Sequence, residues 1–131
     1  MIEVICNPVA GPRRGNRIER VRDFLSSRGA AFRLRETGGP GDAILMAREA
    51  AHAGTETVIA VGGDGTLNEV ANGLAGSATR LAAVPFGTGN VFAKEFHLPP
   101  TVEGCLDLLE EGKTVSVPLA KANDRYFVLF A

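Results

Sequence analysis

The sequence predicts an α/β domain, a mostly parallel sheet with helices on both faces. Three observations predict it. Short apolar runs alternate with stretches of helical periodicity through most of the 131 residues. The runs at 58–61 and 81–84 are unbroken, as in strands buried on both faces. Each run feeds a glycine-rich loop, and an open parallel sheet gathers such loops at the carboxyl ends of its strands.

Taken in order, residues 2–6 read as a first strand, ended by Asn7 and Pro8, and residues 9–15 as a turn-rich loop. Ile18, Val21, Phe24 and Leu25 recur at helical spacing, and Gly29 stops that helix. Residues 31–35 read as a second strand, with Phe32 and Leu34 on one face. Thr37-Gly38-Gly39-Pro40-Gly41 is a second loop. Asp42 is placed to cap the next helix, which carries Ala43, Ala47, Ala50 and Ala51 and closes at Gly54. After the third strand, at 58–61, come Gly62, Gly63, Asp64 and Gly65. Thr66 with Glu69 three residues on has capping-box spacing, so a helix is expected to start at Thr66.

The fourth strand, at 81–84, leads into Pro85-Phe86-Gly87-Thr88-Gly89-Asn90. A short helix is expected over 91–96, broken by His97-Leu98-Pro99-Pro100, with Asn90 read as its cap. Val102, Leu106 and Leu109 mark a last helix, ended by Gly112. Residues 114–119 and 126–130 read as two strands separated by Asn123-Asp124. No helix lies between this last pair, and the chain stops inside the apolar run 127–131. The expectation is an α/β domain over residues 1–117, with 118–131 the first strands of a truncated, β-rich second domain. An apolar edge there invites pairing with another chain and allows a homodimer.

Composition narrows the function classes. Apolar residues make up 45% and charged residues 22%, an ordinary globular balance. No run of 18 apolar residues suggests a spanning helix, and MIEVICNP lacks the basic region of a signal peptide. Cys6 and Cys105 have neither metal-ligand spacing nor a disulfide framework, and read as reduced, intracellular core residues. Net charge is −1, yet residues 13–35 hold eight arginines against Glu19 and Asp23. A solvated helix face accounts for them; the sharper reading is a patch for phosphate or an anionic membrane. Aromatic residues do not interleave with them, which argues against single-stranded nucleic acid.

The chemistry concentrates in residues 57–73. A strand, a glycine turn and a helix start bring bare backbone N–H groups to a helix amino terminus, which favours a phosphate. A tight turn needing glycine would explain the glycines but not Asp64, an acid set where a phosphate would sit. A cation between them resolves the repulsion, so the pattern suggests a nucleotide with its Mg²⁺. The Walker P-loop is missing, and the third glycine of the dinucleotide fingerprint is replaced by Asn68 or, in the later loop, by Phe92. The protein-kinase motifs are absent, and His52 and His97 read as packing or exposed residues.

GGDGTLNEVANGL at 62–74, with PFGTGNVFA at 85–93, resembles the catalytic domain of the diacylglycerol kinase family of lipid kinases. Asn7-Pro8 with Gly11, and Thr37 followed by Gly41-Asp42-Ala43, agree. The resemblance covers nearly the whole chain. GGDGT alone is shared with NAD kinases, with a near variant in phosphofructokinases, whereas the ordered combination is specific.

The resemblance implies the fold of those families and an ATP-binding amino-terminal domain followed by a β-sandwich. It implies transfer of the ATP γ-phosphoryl group to a lipid hydroxyl with Mg²⁺, at the cytoplasmic face of a membrane and without nucleic acid. By position, Thr37, Gly62, Gly63, Asp64, Gly65, Thr66, Leu67, Asn68 and Thr88 would contact ATP. Asn7 would lie beside the nucleotide. Asp64 would be catalytic, acting through the Mg²⁺ carried by the phosphates. The general base would belong to the second domain, beyond Ala131, so this stretch alone is expected to transfer nothing. An NAD kinase-like enzyme remains an alternative, though PFGTGNVFA argues against it; so does a non-catalytic nucleotide- or phospholipid-binding module.

Overall fold

The computed structural model describes residues 1–8, 14–85, 101–111, 119–122 and 125–128. Its elements run β1 (Ile2–Cys6), α1 (Arg14–Ser27), β2 (Phe32–Glu36), α2 (Asp42–His52), β3 (Thr57–Gly62), α3 (Asp64–Leu74) and β4 (Arg80–Pro85). They continue with α4 (Val102–Glu111), β5 (Leu119–Ala122) and β6 (Arg125–Val128). The first four strands form one parallel sheet in the order β2-β1-β3-β4.

Alternation along the strands sorts the core into two layers. Val4, Cys6, Ile59, Val61 and Val84 face α1 and α4, meeting Val21, Leu25, Val102 and Leu106. Ile5, Val58, Ala60 and Ala83 face α2 and α3, meeting Ala47, Leu67 and Val70. β3 is buried along its whole length, as its unbroken apolar run requires. The α/β class and the helices on both faces are therefore as the sequence predicts.

The alanine-rich face of α2 lets α3 approach closely. A Cβ on Gly73 would stand 2.5 Å from the Ile44 carbonyl oxygen and 2.6 Å from Ala47 Cβ. One charged side chain lies in the α2 layer: Glu3 is 2% exposed. Its carboxylate accepts from Arg33 Nε at 3.0 Å and Nη2 at 3.1 Å, and Arg35 bridges it to Glu49. Pairing of this kind is what a buried carboxylate needs.

Half of the arginine-rich stretch is spent on carboxylates. Arg20 on α1 makes a two-pronged bond to Glu103 of α4, and Arg28 pairs with Asp107 and Glu110 of the same helix. With Arg33 and Arg35 on Glu3, four of the eight arginines face acids. Arg28 also lies 3.6 Å from the centre of the Phe24 ring. Where α1 meets α4, Arg20 and Arg28 make a paired, half-solvated helix face.

Two helix starts differ from expectation. α3 begins at Asp64, not Thr66, with Gly63 as N-cap and no side-chain capping bond. α2 is preceded by Gly41 as N-cap, while Asp42 lies in its first turn and accepts from the Gly38 amide at 2.7 Å. β5 and β6 form a separate antiparallel ladder, with Leu119 opposite Val128, and β6 runs beside α3. Of the first expected strand, 114–119, only Leu119 is among the described residues, and it starts β5. Residues 114–118 and 129–131, the Asn123-Asp124 turn and the expected helix at 91–96 lie outside the described residues. Among the described residues, no helix is long and apolar enough to cross a membrane.

Candidate functional site

The sheet order places a topological switch between β1 and β3. The chain leaves β1 through α1 toward β2 and leaves β3 through α3 toward β4, on opposite faces. Crossovers that diverge in this way open a crevice at the carboxyl ends of the two strands.

Two backbone bonds carry the ladders one residue past the strands. The Asn7 amide donates to the Val61 carbonyl at 3.0 Å, and the Thr37 amide to the Cys6 carbonyl at 2.9 Å. Asn7, Thr37 and Gly62 thereby stand side by side at three neighbouring strand ends. Gly62 also lies opposite Pro85 in register, at the end of β4. The loops expected to converge at Asn7, Thr37 and Gly62 do so. Thr88, in the fourth loop, lies outside the described residues.

The three glycines of the β3–α3 turn have different reasons to be there. None has a positive φ, which among the described glycines occurs at Gly29, Gly41, Gly54 and Gly76. Gly62 is required by packing, since a Cβ there would stand 2.8 Å from Thr66 Cβ. At Gly63 and Gly65 a Cβ would meet nothing within 4 Å among the described residues. Among the described residues, neither backbone strain nor packing demands glycine at those two positions. Open ground before a bare backbone at a helix amino terminus fits close approach by a phosphate.

Asp64, half-buried, sits between those glycines in the first turn of α3. An acid there favours the helix dipole. It also requires a cation if a phosphate shares the terminus. Among the described residues, no group of three His, Cys, Asp or Glu side chains forms a metal cage. Of the other expected contacts, Leu67 is fully buried in the α2–α3 core and Thr66 is 6% exposed. Both side chains pack inward, and the Leu67 amide donates to the Gly63 carbonyl at 3.1 Å, so the amides that a ligand could meet end at Thr66. Asn68 is half-buried, and its carbonyl accepts from Asn72 Nδ2 at 3.0 Å.

Two connections near these loops are not evident from sequence. Glu69, one turn past the glycines, accepts from the Gly41 amide at 2.7 Å, 28 residues away in the chain. Arg17 of α1 donates to the Pro85 carbonyl at 2.9 Å. Cys6, at the end of β1, is buried, and burial pushes its thiol up to about 11, aided by Glu36 and opposed by Arg22. Burial of this kind disfavours the reactive thiolate.

The family profile for the diacylglycerol kinase catalytic domain matches residues 1–122. A diacylglycerol kinase of Staphylococcus aureus (strain MRSA252) is 38% identical over 131 residues, covering 98% of this chain and 42% of its own length. That of strain JH9 is 45% identical over 93 residues, covering 70% and 30%. The crystal structure of a diacylglycerol kinase from Bacillus anthracis str. Sterne superposes with a TM-score of 0.83 at 29% identity, over 96% of this chain and 45% of that one. The chain spans less than half the length of these relatives.

Proposed function

The chain belongs to the diacylglycerol kinase catalytic domain family, and from that premise we propose that it supplies the ATP-binding part of a lipid kinase. The reaction moves the γ-phosphoryl group of ATP to the hydroxyl of a diacylglycerol-like acceptor. The observation that carries the reading is the pair of open glycines, Gly63 and Gly65, flanking Asp64 at the start of α3.

Phosphoryl transfer rests on positioning and charge neutralisation. In this reading the amides of Gly63, Asp64, Gly65 and Thr66 cradle phosphate oxygens. The Thr37 hydroxyl and Asn7 hold the nucleotide from the neighbouring strand ends, with Thr88 from the fourth loop. Asn68 reaches the same ligand from the second turn of α3. Asp64 would orient a magnesium ion, whose charge would neutralise the phosphates, and is the catalytic residue of this lobe.

Residues 1–117 form the nucleotide lobe, and residues 118–131 open a second, β-rich domain that brings the general base. The greater length of the relatives supports this division. The protein works from the cytoplasm, peripheral to the membrane that carries its lipid. A homodimer is compatible with it.

The test is calorimetric titration with Mg-ATP, with Asp64→Asn and an NAD control, followed by phosphorylation of lipid acceptors. Binding of Mg-ATP that weakens in the variant, with none of NAD, is expected. Binding and phosphorylation of NAD would overturn the lipid-kinase reading. Nucleotide binding without transfer to any lipid by the intact protein would leave a binding module instead.

A further inference from the structure

Glu69 has no assigned role, and its geometry gives it one. Its carboxylate leaves the second turn of α3 and takes the Gly41 amide at 2.7 Å. Gly41 ends the β2–α2 loop in a left-handed conformation, with φ of 90°. The other end of that loop is Thr37, whose amide is fixed to the Cys6 carbonyl. Between them, the Gly38 amide is held by Asp42 at 2.7 Å.

The loop is thus anchored to β1 at one end, to its own helix in the middle, and to α3 at the other end. The last anchor joins it to α3, the helix that starts at Asp64 behind Gly63. A charge-assisted bond to a backbone amide is among the stronger single contacts. We infer that Glu69 is a positioning residue: it locks the Thr37–Gly41 loop against α3 and so fixes the spacing between Thr37 and the β3–α3 turn. The inference rests on the nucleotide-site reading and deepens it. Glu69 acts through Gly41 and need not touch the ligand.

Three variants of the intact protein separate reach from charge. Glu69→Gln keeps the acceptor oxygen and loses the charge. Glu69→Asp keeps the charge and falls one methylene short. Glu69→Ala loses both. Mg-ATP affinity by calorimetry and exchange of the Gly41 amide by hydrogen exchange are the two readouts. The alanine and aspartate variants are expected to bind about tenfold more weakly and to exchange Gly41 faster, while glutamine restores affinity to within about threefold. The aspartate variant carries the test if the alanine variant does not fold.

Unchanged affinity in both the alanine and aspartate variants would overturn the inference while leaving the nucleotide site intact. So would a glutamine variant that binds as weakly as alanine with Gly41 still protected, because the charge would then act on the nucleotide directly. Failure of the unaltered protein to bind Mg-ATP would overturn the nucleotide-site reading itself, and this inference with it.

Discussion

Gly62 and Thr66 meet where β3 turns into α3, with 2.8 Å between Thr66 Cβ and the place a Gly62 Cβ would occupy. Thr66 is buried and its Cβ is fixed to the helix backbone, so relief requires the turn itself to move. Gly62→Ala is expected to cost about 1–3 kcal/mol, the usual range for overpacking. Urea unfolding checks this: the midpoint should fall with the slope unchanged.

Gly65→Ala is the contrasting case. Its Cβ would enter open space, and alanine is the better helix former by about 1 kcal/mol. Stability is expected to hold or rise, while Mg-ATP affinity drops at least tenfold because the methyl occupies phosphate ground. Thermal melting and calorimetry on one preparation read both. Unchanged affinity would remove the reason offered for this glycine.

Legibility followed the range over which each signal acts. β3 was readable because burial on both faces leaves an unbroken apolar run, and the glycine loops were readable because their composition is local. Sheet order is not local: nothing near Asn7 indicates that its amide will reach Val61. The Thr66–Glu69 spacing suggested a capping box because that motif is defined within four residues, whereas Glu69's partner is Gly41. The partners of Arg20 and Arg28 are distant in the chain too. Their acids, Glu103, Asp107 and Glu110, recur at helical spacing on one face of α4, and that periodicity was the available hint.

The close passage of α2 over α3 depends on Gly73. A methyl there would press on the Ile44 carbonyl and the Arg48 amide, 2.5 and 2.9 Å away, and backbone atoms cannot swing aside. Gly73→Ala is expected to destabilise by about 1–3 kcal/mol. Because Glu69 lies on the same helix, Gly41 exchange should also quicken. A melting temperature equal to that of the unaltered protein would show that the helices separate without cost.

The α1–α4 pairs bear on membrane binding. Arg20 holds the Glu103 carboxyl below the usual carboxylate range through their hydrogen bond. Guanidinium groups already matched to acids offer little to an anionic lipid surface. Arg20→Ala with Arg28→Ala is expected to leave co-sedimentation with anionic vesicles unchanged. Any loss of stability should be small and should fade in 1 M salt, as exposed pairs are screened. Vesicle binding that fell severalfold would restore the arginine patch as a membrane contact.

Alkaline pH should destabilise the fold through its two cysteines, neither of which forms a disulfide. Burial raises both thiols to about 11; Arg17 opposes it at Cys105, as Arg22 does at Cys6. An unfolded chain releases these protons near about 8.5. Between those values the unfolded state has lost protons that the folded state keeps, so stability falls as pH rises. The contribution is whole below about 8.5 and declines toward 11, by about 1.4 kcal/mol per pH unit for each thiol. Urea unfolding at pH 7, 9 and 10 measures the slope. Cys6→Ala with Cys105→Ala should flatten it, and a double variant with an unaltered slope would place the alkaline sensitivity elsewhere.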